Sequence, residues 1–416
     1  MQIQDLSLGQ AVLPGIPGLL DGGGSGVDRV LHAVRTHLGM DVAFVSEFEE
    51  HDRVLRHVDA QDRSPIHTGD RIPLDQGYCR RIVEGQLPEL IPDTAQVPAA
   101  MALPETTQLP IGAHLGVPVY LSDGRFYGTF CCFSYTADTS LNERDLQMMR
   151  VCAELMAYQI SAELAATRVA DQKFAHVKGA INQGGPAIVY QPIYRLESGK
   201  ISGMECLSRF ESLPLRSPDL WFADAAEVGL GVELELSAIR KALAGMDALP
   251  GDVYLAINSS PETILSGRLE ELLRDVPSER LVLEITEHAH VADYQDLIQA
   301  LAPLRERGIR ISIDDAGAGY SSMSHILNMR PDLIKLDMSL TRQIDSDMAR
   351  YALAAALSDF ARKTGVDIVA EGVETAAELR SLRSLGIVKA QGYYLSRPQP
   401  LPDAIRLLAA NARQLH

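Results

Sequence analysis

The sequence predicts an α/β chain: a (β/α)8 barrel in its C-terminal half, preceded by an α+β domain on an antiparallel sheet and a long connecting helix. Three observations carry this. From Ala187 onward short apolar segments alternate with helical patterns, and each apolar segment runs into a polar residue. Such alternation implies parallel strands, and polar residues at their carboxyl ends are where a barrel of this kind assembles a site. Ahead of it, residues 113–121 and 126–135 flank Ser122-Asp123-Gly124-Arg125, a hairpin in which Asp-Gly supplies the positive φ of a tight turn. Between the halves, residues 141–181 contain no Pro and a single Gly, Gly179.

Composition sets the bounds. A chain of 416 residues holds two or three domains, and 46% hydrophobic with 22% charged residues is ordinary for a globular protein. A net charge of -17 argues against DNA, RNA or anionic lipid as partners, while leaving room for a small anionic substrate met by metal ions. The five cysteines are Cys79, Cys131, Cys132, Cys152 and Cys206, an odd number without a C-x-x-C pair. That points to reduced thiols in the cytoplasm rather than a disulfide framework or a zinc knuckle. No apolar run approaches the ~18 residues that span a bilayer, so no membrane insertion is expected. The first residues lack the basic-then-apolar order of a secretory signal.

In chain order, residues 1–26 end in Asp21-Gly22-Gly23-Gly24-Ser25-Gly26, a flexible segment. Val27, Val30, Leu31, Val34 and Leu38 recur at helical spacing, and Gly39 can stop that helix. Strands over 42–49 and 54–60 follow, then the hairpin. Cys79 reads as a helix-packing thiol rather than a redox or chromophore anchor. Cys131-Cys132 lies in a strand, where at least one of the two faces the core. In the long helix Leu146, Met149, Ala153, Met156, Ile160 and Glu163 or Leu164 step as a heptad seam, and Asn142-Glu143-Arg144-Asp145 offers caps for its start. The seam outlasts what the first domain needs to cover its sheet, so a homodimer is expected. Asn182-Gln183-Gly184-Gly185-Pro186 ends the helix.

In the second half the apolar segments lead in turn into Glu205, Asn258, Glu284, Asp314-Asp315, Lys335 with Asp337, Glu371 and Gln391, with helical patterns over 262–273, 294–307 and 348–364 among them. Seven such endings in series are hard to explain as solvated turns. Neighbouring side chains on a strand point to opposite faces, so the chain must turn after Ile313 if Asp314 and Asp315 are to share one site. Acids gathered so closely repel unless a proton or cation lies between them. Carboxylates plus an amide oxygen suit Mg²⁺ or Mn²⁺, and no imidazole or thiolate cluster invites zinc. Two such ions about 3.5–4 Å apart would activate a water for displacement at a phosphodiester.

The motifs resemble those of the EAL-domain cyclic di-GMP phosphodiesterases. Tyr190-Gln191-Pro192-Ile193 is similar to Y-Q-P-I, Glu205-Cys206-Leu207-Ser208-Arg209 to E-A-L-x-R, and Glu284-Ile285-Thr286-Glu287 to E-x-T-E. The run from Asp314 to Ser322 resembles D-D-F-G-x-G-Y-S-S; Ile334-Lys335-Leu336-Asp337, Ala370-Glu371-Gly372-Val373-Glu374 and Gln391-Gly392-Tyr393 resemble I-K-x-D, A-E-G-V-E and Q-G-Y. The resemblance implies hydrolysis of cyclic di-GMP to linear pGpG. Glu205, Asn258, Glu284 and Asp314 would hold one ion and Asp315 a second, with Asp314 between them. Lys335 would orient the attacking water, and Glu371 and Gln391 would complete the water and metal shell. Gln191, Leu207 and Arg209 would contact the dinucleotide, and Glu287 would anchor the loop after Asp315. Cys206 stands for the usual Ala and Ala316 for the usual Phe; the second departure motivates an alternative, a weak or inactive cyclic di-GMP receptor acting through protein contacts.

The order of elements and the Gly77-Tyr78-Cys79 helix start resemble a GAF domain over 27–160, which implies a sensor with an unnamed small-molecule or protein input. The expected organisation is a flexible segment 1–26, a GAF-like domain 27–160, a connecting helix 161–182 and a phosphodiesterase domain 183–416.

Overall fold

The computed structural model describes residues 24–61, 64–286, 294–316 and 321–414. The chain divides into two compact units, Met1–Val169 and Ala170–His416.

The first unit is a six-stranded antiparallel sheet of β1 (Val42–Phe48), β2 (Asp52–Ala60), β3 (Arg71–Pro73), β4 (Leu90–Ile91), β5 (Ala113–Tyr120) and β6 (Phe126–Ser134), in the order β3-β2-β1-β6-β5-β4. The expected hairpin joins β5 to β6, with Gly124 at φ 82°. The opening helix, Gly26–Leu38, is fixed by a reciprocal Ser25–Asp28 cap and stopped by Gly39 at φ 64°. Because a strand alternates its side chains, β6 feeds two cores. Phe130 and Cys132 pack with Val27, Leu31 and Val34 on one face; Cys131 and Phe133 pack with Tyr78, Cys79 and Ile82 on the other. Both members of the Cys131-Cys132 pair are therefore buried.

The helix Glu143–Asn182 runs without a break through residues 160 and 161. At its start Asn142 Oδ1 accepts from Arg144 N and Asp145 Oδ2 accepts from Asn142 N, and Gly184 and Gly185 at positive φ close it. Its seam is used inside the first unit: Leu146, Met149, Ala153, Met156 and Ile160 are buried against the opening helix and the sheet. The apolar residues this helix leaves exposed are others, among them Val151, Tyr158 and Val169.

The second unit is a closed eight-stranded barrel. Its strands are β7 (Ala187–Arg195), β8 (Ile201–Arg209), β9 (Tyr254–Asn258), β10 (Leu281–Thr286), β11 (Arg310–Ala316), β12 (Leu333–Leu336), β13 (Asp367–Ala370) and β14 (Lys389–Ala390). They pair in sequence, β14 closes on β7, and a short β15 (Gln399–Pro400) adds to the outer edge of β7. Seven strands are parallel, as alternation implies, but β7 is antiparallel to both neighbours. The connection from Arg195 to Ile201 is too short for a crossover helix and leaves only a hairpin. The pattern over 262–273 is two short helices, Pro261–Leu265 and Arg268–Leu272, split where Gly267 takes φ 71°.

Inside the barrel, Ile193, Tyr254, Ala256, Val282, Leu333 and Val369 form an apolar plug. The alternate residues Met204, Cys206, Leu255, Ile257, Leu283, Ile311, Ile313 and Ile334 face outward into the core beneath the helices. At the amino end of the parallel strands the barrel has a basic floor of Arg195, Lys200, Arg280, Arg310 and Lys389.

Candidate active site

Period-two geometry builds the site from the plug upward. Two residues beyond Val282, Leu333 and Val369 stand Glu284, Lys335 and, one position past β13, Glu371, so they project on the inner side at the carboxyl end. Glu205 is the register neighbour of plug residue Ala256, and Gln191 faces Glu205 across the hairpin.

Lys335 is the hub. Its Nζ lies 2.8 Å from Glu205 Oε1, 3.0 Å from Glu284 Oε2, 3.0 Å from Asp314 Oδ1 and 2.8 Å from Glu371 Oε1. Gln391 Nε2 donates to Glu205 Oε2 at 2.6 Å and Glu371 Oε1 at 2.7 Å. Lys335, Glu284 and Gln391 are 1%, 2% and 4% exposed, so these interactions are shielded from solvent.

Asp315 reaches the same place by a route other than a strand end. β11 continues to Ala316, and its register with β12 slips between Ile313 and Ala316. Asp315 takes φ 56° at that bulge, and its N–H donates to Asp314 Oδ1 at 3.0 Å. A bulge re-aims one side chain, and aspartate tolerates the left-handed region better than most residues. Ala316 then turns back into the core, 1% exposed.

One lysine cannot neutralise this many acids. Burial pushes Glu284 well above the carboxylate range, and repulsion from Glu205, Asp314 and Glu371 adds to it despite Lys335. Burial raises Glu371 likewise, with Asp314 and Glu205 reinforcing it. For Glu205 burial acts in the same direction but is outweighed by Lys335 and Gln391, and its carboxyl is held below its ordinary value. Burial opposes the charge on Lys335, and the four carboxylates overcome it and hold the ammonium well above its usual range.

The donor set fits hard cations. Carboxylate oxygens of Glu205, Glu284 and Asp314 lie within 4.8 Å of one another, as do those of Asp314, Asp315 and Glu371, so Asp314 belongs to both groups. Gln391 Oε1 is buried without a hydrogen-bond partner among the described residues. Oxygen ligands of this kind suit Mg²⁺ or Mn²⁺ rather than zinc.

The remaining sequence-predicted residues sit around this cluster. Asn258 ends β9 in register with Glu284 and is exposed. With Leu207 and Arg209 it lines a cavity of about 450 Å³ whose walls include none of the acids around Lys335. Arg209 is exposed and makes no ion pair among the described residues; its Nη1 donates to Ser208 O at 2.7 Å. Gln191 Nε2 donates to Ser396 O at 3.3 Å. Glu287 lies outside the described residues. Sequence reasoning missed Glu235, which lines the same cavity, accepts from Ser260 N at 2.9 Å and is raised above its ordinary value by burial. Its signal was present: Glu235, Ala238, Ile239 and Ala242 form one helical stripe of Gly231–Leu243, apolar except for the acid.

Fold and site together define an α/β barrel with an acid-lined mouth. The EAL domain family model matches residues 175–398, and the chain belongs to that family. The GAF domain family model matches residues 26–160, the antiparallel-sheet unit. Among curated relatives, "Probable cyclic di-GMP phosphodiesterase PdeG" of Escherichia coli is 32% identical over 249 residues, 57% of this chain and 49% of that protein. Cyclic di-GMP phosphodiesterase NbdA of Pseudomonas aeruginosa is 29% identical over 315 residues, 72% of this chain and 39% of that protein. The chain thus spans half or less of the length of these relatives. Among solved structures, the PaMucR phosphodiesterase in complex with c-di-GMP superposes with a TM-score of 0.52 at 28% identity, over 56% of this chain and 99% of that one.

Proposed function

We propose that this protein hydrolyses cyclic di-GMP to linear pGpG with two bound Mg²⁺ or Mn²⁺ ions, under control of its GAF domain. The observation that carries the reading is the convergence of Glu205, Glu284, Asp314 and Glu371 on Lys335, with Arg209 at the end of the strand that carries Glu205. Glu205, Asn258, Glu284 and Asp314 would hold one ion and Asp314 with Asp315 the other, with Glu371 and Gln391 completing the shell. Bound there, divalent ions supply Lewis-acid stabilisation of phosphodiester oxygens and an acidified water.

The chain's own groups do the rest. Lys335 keeps its charge at neutral pH and orients the attacking water through its N–H donors. Arg209 presents a planar guanidinium to a phosphate, while Leu207 and Gln191 position the dinucleotide. The plug closes the barrel beneath, so the reacting groups work in a poorly hydrated floor where charge interactions are strong.

The rest of the reading is a cytoplasmic homodimer, with residues 1–26 a flexible segment, 27–160 the sensor, 161–182 the connector and 183–416 the hydrolase. Val151, Tyr158 and Val169 support the dimer, since they lie exposed on one face of the long helix.

The test is incubation with cyclic di-GMP and Mg²⁺ or Mn²⁺, with a chelator arm. Metal-dependent linear product is expected; no product in any arm overturns the reading. Ala316 in place of a large aromatic favours a second reading, a receptor that binds the nucleotide without cleaving it. Tight binding of intact nucleotide without turnover would select that alternative.

A further inference from the structure

The first unit holds a second cluster of reactive groups. Cys79 is the second residue of the helix Tyr78–Val83 and Cys131 lies in β6; their sulfurs stand 3.7 Å apart, both buried. Arg53, 1% exposed, donates from Nη1 to Cys79 Sγ and from Nη2 to Glu105 Oε1. Glu105 Oε2 in turn accepts from Tyr78 N at 3.0 Å, fixing the start of the helix that carries Cys79. Gly77 makes this packing possible, because a Cβ there would overlap Glu105 and the Arg53 guanidinium. His114 stacks on Tyr78 at 4.4 Å; burial and then Arg53 push its imidazole down to about 3, so it adds no charge.

We propose that Cys79 and Cys131 form a peroxide-reactive dithiol, in which Cys79 is the attacking sulfur and Cys131 the resolving one. Arg53 is the positioning cation. The inference rests on the geometry of the first unit and stands or falls apart from the hydrolytic reading.

The assignment of roles follows from the surroundings. Burial opposes ionisation of Cys79, but the hydrogen bond with Cys131 and the charge of Arg53 outweigh it and lower its thiol. Cys131, buried and beside that sulfur, is pushed well above the ordinary thiol value and keeps its proton. Cys132 and Cys152 are also buried but only raised, chiefly by desolvation, and serve as internal controls. A thiolate held by a cation is the nucleophile, and a thiol in contact is its natural resolver.

The chemistry balances. The Cys79 thiolate attacks the terminal oxygen of a hydroperoxide; the O–O bond breaks, giving Cys79 sulfenic acid and an alkoxide or hydroxide that takes a proton from water. Cys131 sulfur then attacks the Cys79 sulfur, an S–S bond forms, and the hydroxyl leaves as water with the Cys131 proton. Two electrons pass from the sulfurs to the peroxide. Closing the gap to a bond of ~2.05 Å needs a small approach of the helix start to β6.

The experiment treats the full chain with one equivalent of hydrogen peroxide, alkylates remaining thiols and maps peptides by mass spectrometry. A reductant-reversible Cys79–Cys131 linkage is expected, with Cys132, Cys152 and Cys206 still alkylatable after unfolding. Cys131→Ala should leave Cys79 as a sulfenic acid trapped by dimedone, and Arg53→Gln should slow oxidation ~10-fold or more at neutral pH. Circular dichroism verifies that each variant is folded; if Arg53→Gln is not, the dimedone adduct on Cys131→Ala decides. Absence of the linked peptide, or dimedone labelling of another cysteine instead of Cys79, overturns the inference.

Discussion

Lys335 carries one charge against four carboxylates in contact with it, and that imbalance sets what each substitution does. Removing the cation leaves buried acids facing one another, and breaking a buried pair in this way costs roughly 3–5 kcal/mol. Lys335→Met should therefore lower the urea midpoint of chelator-treated protein, and an unchanged midpoint would contradict the hub. Glu205→Ala should reduce turnover by at least ~100-fold, since losing even an outer-shell partner of a metal weakens such sites 10–100-fold; steady-state assay of product checks it. The acids also fix a pH response. Glu371 is raised in the folded state, so its contribution to stability is present below its unfolded value of about 4.5 and is lost as pH rises through the higher folded value. Glu371→Gln should thus gain thermal stability relative to the parent as pH rises above that range without metal. Added Mg²⁺ should shrink the gain, and a variant-to-parent difference in Tm independent of pH would refute the raised carboxyl.

At the scale of elements, the long helix divides its labour. Met149 and Met156 are fully buried in the first unit, so Met149→Ala should destabilise that unit by about 2–5 kcal/mol, read from denaturant unfolding. The heptad seam was legible in the sequence, but its partner was not. Periodicity says that a face is apolar; it does not say whether a neighbouring helix of the same chain or of another copy covers it. The barrel was legible for a related reason: Glu205, Glu284 and Lys335 interrupt apolar strands at inward positions, Glu371 and Gln391 follow directly on theirs, and period-two geometry places them in one layer. Asp315 was half legible. Adjacent aspartates on a strand demanded a distortion, and the sequence suggested a turn where the chain makes a bulge at φ 56°. Glu235 was overlooked because it sits alone in a helical stripe without a motif, and the antiparallel β7 because a hairpin and a crossover differ only in the length between Arg195 and Ile201.

For the molecule as a whole, the net charge of -17 and the acid-lined mouth act in the same direction, since both favour divalent cations over an uncompensated anionic ligand. No described helix is long and apolar enough to cross a membrane. If the exposed face of the long helix pairs two copies, light scattering should give twice the chain mass, and Tyr158→Glu should return it to one. A wild-type mass of one chain would remove the dimer from the reading. The apolar plug has a bearing on turnover. It separates the acids above from Arg310 and Lys389 below, so among the described residues the acid layer is closed on the side of the strands' amino ends. Ions seated among the acids would have to come and go through the same doorway as the nucleotide, so a bound dinucleotide would imprison them and product departure would precede metal exchange.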